Sequence, residues 1–327
     1  MTVVAESAAT EKTRRAVNPG VAVGGALVVI LAVIFFVGGK DQGLVGQAIV
    51  SGLLLGGVYA LISVGLTLIF GVLGIVNFAQ GAMLTLAMYI VYALSTAGLP
   101  VYVATLLAVP VMFVFGMIVQ ATLLTKLTIG GSHEGPLLVT LGLSLLIINV
   151  LLMVFGGRPK SVEAPVDGSI SILGTVAAWP RVLAFVGAAV VAIALKSVLE
   201  RTRLGLSIRA VASNSEGAKL VGVDIGRVYA LTFGIGAACV AVAGGLMTPF
   251  TSLTPSVGEQ FTILAFVIVV LGGLGSVVGA MVGGIVIGLV QTVGALYLPG
   301  TGSLILVFAV FVMVLFLKPE GLYGGRR

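Results

Sequence analysis

Along this chain, long stretches without a charged side chain alternate with short segments where the charges collect. Residues 42–125 form an uncharged run of 84, residues 228–258 one of 31 and residues 260–317 one of 58. A water-soluble fold needs a charged outer face, so runs of this length are not soluble cores. About 20 apolar residues of helix cross a bilayer, so each run holds more than one crossing or crossings joined by tight turns. Glycine and proline divide the runs at Gly38-Gly39, Gly71 and Gly74, Pro100, Pro136, Pro180, Gly272-Gly273 and Pro299-Gly300. The pattern predicts ten spans: 21–38, 44–68, 76–97, 101–124, 136–155, 181–199, 227–248, 259–273, 277–298 and 303–317. The first reads as an optional anchor and 259–273 is short enough to be re-entrant, so the count lies between eight and ten. The runs are continuously apolar rather than alternating, which excludes a transmembrane β-barrel.

The charges set a topology. With the N-terminus inside, 13 of the 17 lysines and arginines fall on inside segments and 4 outside. Cytoplasmic loops collect Lys and Arg, so the split predicts both termini inside and an even number of spans. The fold class is therefore an all-α polytopic membrane protein. Residues 1–20 read as a basic cytoplasmic tail, 21–317 as the transmembrane domain and 318–327 as a second basic tail. The 18-residue apolar run after the first tail is long for a signal peptide and reads as an uncleaved anchor in a bacterial-type inner membrane.

Composition narrows the function. The chain is 59% hydrophobic and 9% charged, against about 25% charge in soluble domains. That excludes a soluble enzyme, and topology accounts for the net charge of +6 without nucleic acid. One cysteine, Cys239, and one histidine, His133, make neither an intrachain disulfide nor a metal cluster. The chain has no Ser-His-Asp set and no Gly-x-x-x-x-Gly-Lys-Ser/Thr phosphate loop, so no catalytic residue, metal or cofactor is expected. No acidic or basic residue falls in the middle of a span; Lys196 and Glu259 sit at span ends. A proton-coupled carrier normally carries an intramembrane ionisable relay. The energy for uphill transport is thus expected from another molecule. The alternative is a stand-alone carrier or channel, uncoupled or coupled to sodium through backbone carbonyls.

The informative polar segment is 200–226, ERTRLGLSIRAVASNSEGAKLVGVDIG. Ser213 with Glu216 three residues later has the spacing of a capping box. Glu216 also suits the positive end of a helix dipole, and Gly222 suits a stop. These predict a helix of about two turns over 214–221, with Ala218, Leu220 and Val221 as its apolar surface. So short a helix is marginal alone. It is either an ordinary loop helix resting on the membrane core or a docking helix for a cytoplasmic partner.

Glu216-Gly217-Ala218 followed by Gly222 resembles the EAA-x-x-x-G loop of ABC-importer permeases. The flanking segments Arg203-Leu204-Gly205, Arg209-Ala210-Val211-Ala212 and Gly222-Val223-Asp224-Ile225-Gly226-Arg227-Val228 resemble the branched-chain amino acid permeases, in their LivH-like branch. So do Gly71-Val72-Leu73-Gly74-Ile75-Val76-Asn77-Phe78-Ala79-Gln80-Gly81 and Leu271-Gly272-Gly273-Leu274-Gly275-Ser276. The resemblance spans about residues 42–322. It implies an ABC importer permease fold and coupling to a separate ATPase through Ser213, Glu216, Gly217, Ala218, Leu220 and Gly222. It implies as partners a second homologous permease, two cytoplasmic ATP-binding subunits and an extracytoplasmic solute-binding protein. Branched-chain amino acids, or a related solute such as an amide, urea or an aromatic acid, are the implied cargo. Gln80 stands where the family usually has His, and the family's basic stretch after the fourth span is reduced to Lys126 and Gly130–His133.

Weaker signals lie inside the spans. Positions 71–80 match 272–281 at five of ten residues, either as a direct repeat of the two halves or by convergence of glycine-rich turns. Small residues four apart, Gly52/Gly56, Gly279/Gly283 and Gly284/Gly288, suit close helix packing. The polar residues in spans, Ser63, Thr67, Asn77, Gln80, Thr85, Thr140, Ser144, Asn149, Thr232, Gln291 and Thr292, are candidates for interhelical hydrogen bonds or a substrate pathway. Asn77, Gln80, Thr85 and Gln291 are taken as the pathway set, Asn77 and Gln80 foremost because they lie three apart beside broken glycine backbone.

Overall fold

The nine spans predicted from 44 onward all correspond to helices. The computed structural model describes residues 42–125, 127, 134–163, 166, 168–172, 174–298 and 300–324. The first predicted span, 21–38, the basic N-terminal tail and His133 lie outside the described residues. In chain order the helices are α1 (Gln42–Leu73), α2 (Gln80–Thr96), α3 (Val101–Val119, continued by a π-helical turn Gln120–Leu124) and α4 (Glu134–Phe155). After a short hairpin come α5 (Trp179–Arg201), α6 (Arg203–Ser213), α7 (Ser215–Leu220), α8 (Ile225–Met247), α9 (Glu259–Gly272), α10 (Val277–Tyr297) and α11 (Gly302–Leu317). The hairpin, β1 (Ser169–Ile172) and β2 (Thr175–Ala178), pairs antiparallel with Ser169 opposite Ala178. It is a small departure from the all-helical expectation. The Gln47 side chain clasps it, donating to the Val176 carbonyl at 2.7 Å and accepting from its N–H at 3.0 Å.

Among the described residues, six helices are long and apolar enough to cross a membrane: α1, α3 with its π turn, α4, α5, α8 and α10. The other three apolar helices, α2, α9 and α11, have 17, 14 and 16 residues. Fourteen residues rise about 21 Å, short of a hydrocarbon core of about 30 Å. The count of ten crossings rests on the apolar runs and their glycine and proline breaks, and the inside placement of both termini on the distribution of Lys and Arg.

Helices α1 and α8 form the centre. In α1, 83% of the most apolar window is buried, against 22% in α4. The outer helices turn Leu106, Leu138, Leu145, Val190 and Ile305 outward, as apolar side chains facing lipid should be. Glycine brings the central helices together. A β-carbon on Gly56 would lie 2.8 Å from the Ile285 Cα, and one on Gly288 would run into Gly56. Two of the three small-xxx-small pairs read from sequence, Gly52/Gly56 and Gly284/Gly288, thus face each other along an antiparallel α1–α10 seam. The Gly279/Gly283 pair serves the other side of α10, against Gly272 and Ile268 of α9.

The 201-residue offset is visible in the backbone. Gly74 and Gly275 occupy matched positions and both take positive φ, 69° and 84°. They lie at the same end of the molecule, where a β-carbon on Gly71 would sit 3.1 Å from the Gly275 Cα. Beyond the turn the likeness stops. Ser276 caps α10 at once by accepting from the Gly279 N–H at 3.1 Å. Helix α2 instead starts only at Gln80, four residues later than predicted, because 74–79 is unwound.

Candidate functional site

The unwound segment turns back along α1. The Gln80 side chain donates to the Ile62 carbonyl at 3.3 Å, eleven residues before the end of α1. That is about 16 Å of helix, so α2 starts deep in the bundle. Helix α9 starts at the same depth: the Gly81 N–H donates to the Thr262 hydroxyl at 2.9 Å, and Gly81 and Gly258 abut. The two short helices then run to opposite ends of the molecule, Thr96 at one and Gly272 at the other. Irregular backbone at this depth must be satisfied by protein groups, and the neighbouring side chains satisfy it. Asn77 accepts from the Ala79 N–H at 3.1 Å and donates to Gln80 Oε1 at 3.1 Å. The Phe78 N–H donates to the Thr140 hydroxyl of α4 at 3.3 Å, and Thr85 donates to the Gly81 carbonyl at 3.1 Å.

Of the pathway candidates, Asn77, Gln80 and Thr85 are therefore fully buried and brought together around the break. Gln291 is apart, half-buried on α10, its Oε1 without a hydrogen-bond partner. Thr140, one of the polar residues singled out in the spans, joins the break from α4, and Thr262 joins it from α9, which no local sequence signal announced.

At the end of the molecule where α1 finishes, α6 and α7 form an elbow. Thr202 caps α6 by accepting from the Gly205 N–H at 3.0 Å. Ile208 and Val211 are buried, and α6 packs on α1, α5 and α8. No helix is predicted here from the sequence, although Leu204, Ile208 and Val211 have amphipathic spacing. The expected capping box is replaced by another cap. Ser213 is still helical as the last residue of α6, whereas Asn214 has the extended geometry of an N-cap and accepts from the Gly217 N–H at 2.8 Å. Helix α7 covers six residues, 215–220. It ends as expected at Gly222, φ 87°. The Gly222 N–H donates to the Lys219 carbonyl and the Val223 N–H to the Ala218 carbonyl, both at 3.0 Å, the Schellman pattern.

Of the expected apolar surface only Ala218 packs inward, at 4% exposure; Leu220 and Val221 are 89% and 78% exposed. A helix this short cannot bury both a supporting residue and its flanking apolar pair. Glu216 is exposed in the first turn. Nearby, Asp224 caps α8 and pairs with Arg227 at 3.0 Å.

Two cavities open at opposite ends. One, of about 290 Å³, lies under the elbow between Thr67 and Gly71 of α1, Lys196 of α5, Arg209 of α6 and Ser276. The other, of about 260 Å³, lies at the hairpin end and includes Tyr59, Arg181, Phe250, Phe261 and Thr292.

The family described as "branched-chain amino acid transport system / permease component" matches residues 48–317. The chain belongs to this family of branched-chain amino acid permeases. It is 30% identical over 293 residues to the high-affinity branched-chain amino acid transport permease BraD of Pseudomonas aeruginosa, covering 85% of this chain and 95% of BraD. It is 29% identical over 293 residues to LivH of Escherichia coli K12, with the same coverage. A probable LivH of Methanocaldococcus jannaschii is 29% identical over 311 residues, 88% of this chain and 93% of the relative. The permease is thus a multi-pass protein of a bacterial-type plasma (inner) membrane, and its kind is the transport component of an ABC importer. The matched region contains the break, the elbow and both cavities.

Proposed function

We propose that this permease is the membrane subunit of an ATP-driven importer for branched-chain amino acids or a related small polar solute. In this reading the elbow faces the cytoplasm. The permease pairs with a second homologous permease, with two ATP-binding subunits and with an extracytoplasmic solute-binding protein. ATP hydrolysis belongs to the ATP-binding subunits.

The elbow carries the proposal. Leu220 and Val221 are adjacent apolar side chains held out from a helix fixed at both ends. Adjacent exposed apolar residues on a rigid mount suit a partner surface. A push on α7 passes to α6, and α6 lies directly on α1, α5 and α8. Closure of the ATP-binding subunits then rocks these helices, with the junction of α2 and α9 as the place where the two halves articulate. The printed names of the relatives support branched-chain amino acids as cargo.

The test is uptake by the assembled importer. Replacing Glu216 and Gly222 together, or Leu220→Glu alone, should abolish uptake while leaving the permease in the membrane. Normal uptake by both variants removes the coupling assignment. Substrate flux through the purified chain alone, without ATP-binding subunits, removes the importer reading.

A further inference from the structure

The cavity at the hairpin end has an uneven chemistry. One wall is apolar, made by Leu54, Leu55, Met247, Phe250 and Phe261. Hydroxyls of Ser51, Thr251 and Thr292 line the rest, and the single charged group is Arg181. The guanidinium lies 5.9 Å from the Phe250 ring centroid, which holds it over the apolar wall. No carboxylate among the described residues pairs with it, and Arg181 is exposed on that end. It sits in the first turn of α5, so the positive end of a 23-residue helix adds to its field. The floor is shut. Tyr59 and Phe261 face each other at 6.0 Å between ring centroids, and the space below, among Ile62, Leu264, Ala265 and Ile268, has no room for a water molecule.

We propose that this cavity is a receiving site for small carboxylates with an aliphatic tail, in which Arg181 takes the carboxylate and the Leu54–Phe261 wall takes the tail. The proposal rests on the importer reading above and narrows its cargo. A guanidinium binds a carboxylate through two parallel charge-assisted hydrogen bonds, which a carboxamide or urea cannot match. Aliphatic amino acids therefore fit, and neutral amides do not. The cavity offers no acidic side chain for an ammonium group, which hydroxyls and solvent must accommodate. Half of a zwitterion is thus held weakly, as suits a site that must pass its occupant on.

The chain has one tryptophan, Trp179, two residues from Arg181. Its fluorescence, followed in the full-length permease in nanodiscs, reports binding directly. L-leucine and 4-methylpentanoate should give saturable changes, and L-leucinamide should not. Arg181→Gln should weaken leucine binding by about tenfold or more, the effect of losing a charge-assisted pair. Arg181→Lys should restore part of it, which separates lost charge from lost folding. Equal binding of leucine and leucinamide, unchanged binding by Arg181→Gln, or no saturable change with either carboxylate overturns the site. The importer reading fails separately: wild-type binding of this kind in a complex that takes up no amino acid supports the site and removes that reading. Normal leucine import by an Arg181→Gln complex does the reverse.

Discussion

Gly81 and Gly258 press backbone against backbone where α2 and α9 begin, and a β-carbon on either would run into the carbonyl oxygen of the other. They are 177 residues apart in sequence. Their contact lets two helix starts meet inside the bundle, which makes the junction intolerant of added volume.

Gly81→Ala and Gly258→Ala should each destabilise the permease by about 1–3 kcal/mol, the usual cost of overpacking. Gly43→Ala, in α1 with nothing within 4 Å of the new methyl, should cost nothing. Thermal unfolding midpoints of the three purified variants in one detergent compare them.

The Thr262 hydroxyl is the acceptor for the Gly81 N–H. Thr262→Val keeps the shape and leaves that donor unpaired in the bundle, at about 1–3 kcal/mol. Thr262→Ser, which keeps the acceptor, should recover most of the unfolding midpoint. Equal midpoints for the valine and serine variants would show that the hydrogen bond is immaterial.

Helix α7 should depend on Asn214 and not on Ser213. Asn214→Ala removes the side chain that accepts from Gly217, costing the helix about 1 kcal/mol. Ser213→Ala should be silent. Amide hydrogen exchange over 215–222 is the readout, with faster exchange expected in the first variant only.

Topology can be read with an impermeant thiol reagent. The native Cys239 is 3% exposed and should not react. Val176→Cys, on the exposed side of β2, should label in intact cells. Leu220→Cys should label only after the membrane is opened. Labelling of Leu220→Cys in intact cells would invert the orientation proposed for the elbow.

Much of this was legible because a helix in lipid must satisfy its own backbone, so uncharged length and glycine or proline breaks mark its ends locally. That logic found the nine apolar helices among the described residues from 44 onward, the stop at Gly222 and the paired turns at Gly74 and Gly275. It misplaced the cap, since Ser213 and Asn214 both suit an N-cap and only the end of α6 decides between them. It also missed α6, although Thr202 and the spacing of Leu204, Ile208 and Val211 announce it. The span predicted at 76–97 begins late for a different reason. Whether 74–79 coils or unwinds depends on Ile62, Thr140 and Thr262, which lie on three other helices.

The amino-acid order by itself thus determined that the chain lives in a membrane, where its helices run and which short loop resembles a coupling element, all from properties of neighbouring residues. Tertiary structure alone decided that Asn77, Gln80 and Thr85 surround a break, that Leu220 and Val221 point away from the body, and that Arg181 shares a cavity with Tyr59 and Phe261. Each of these depends on contacts between segments distant in sequence, and only packing fixes which distant surfaces meet.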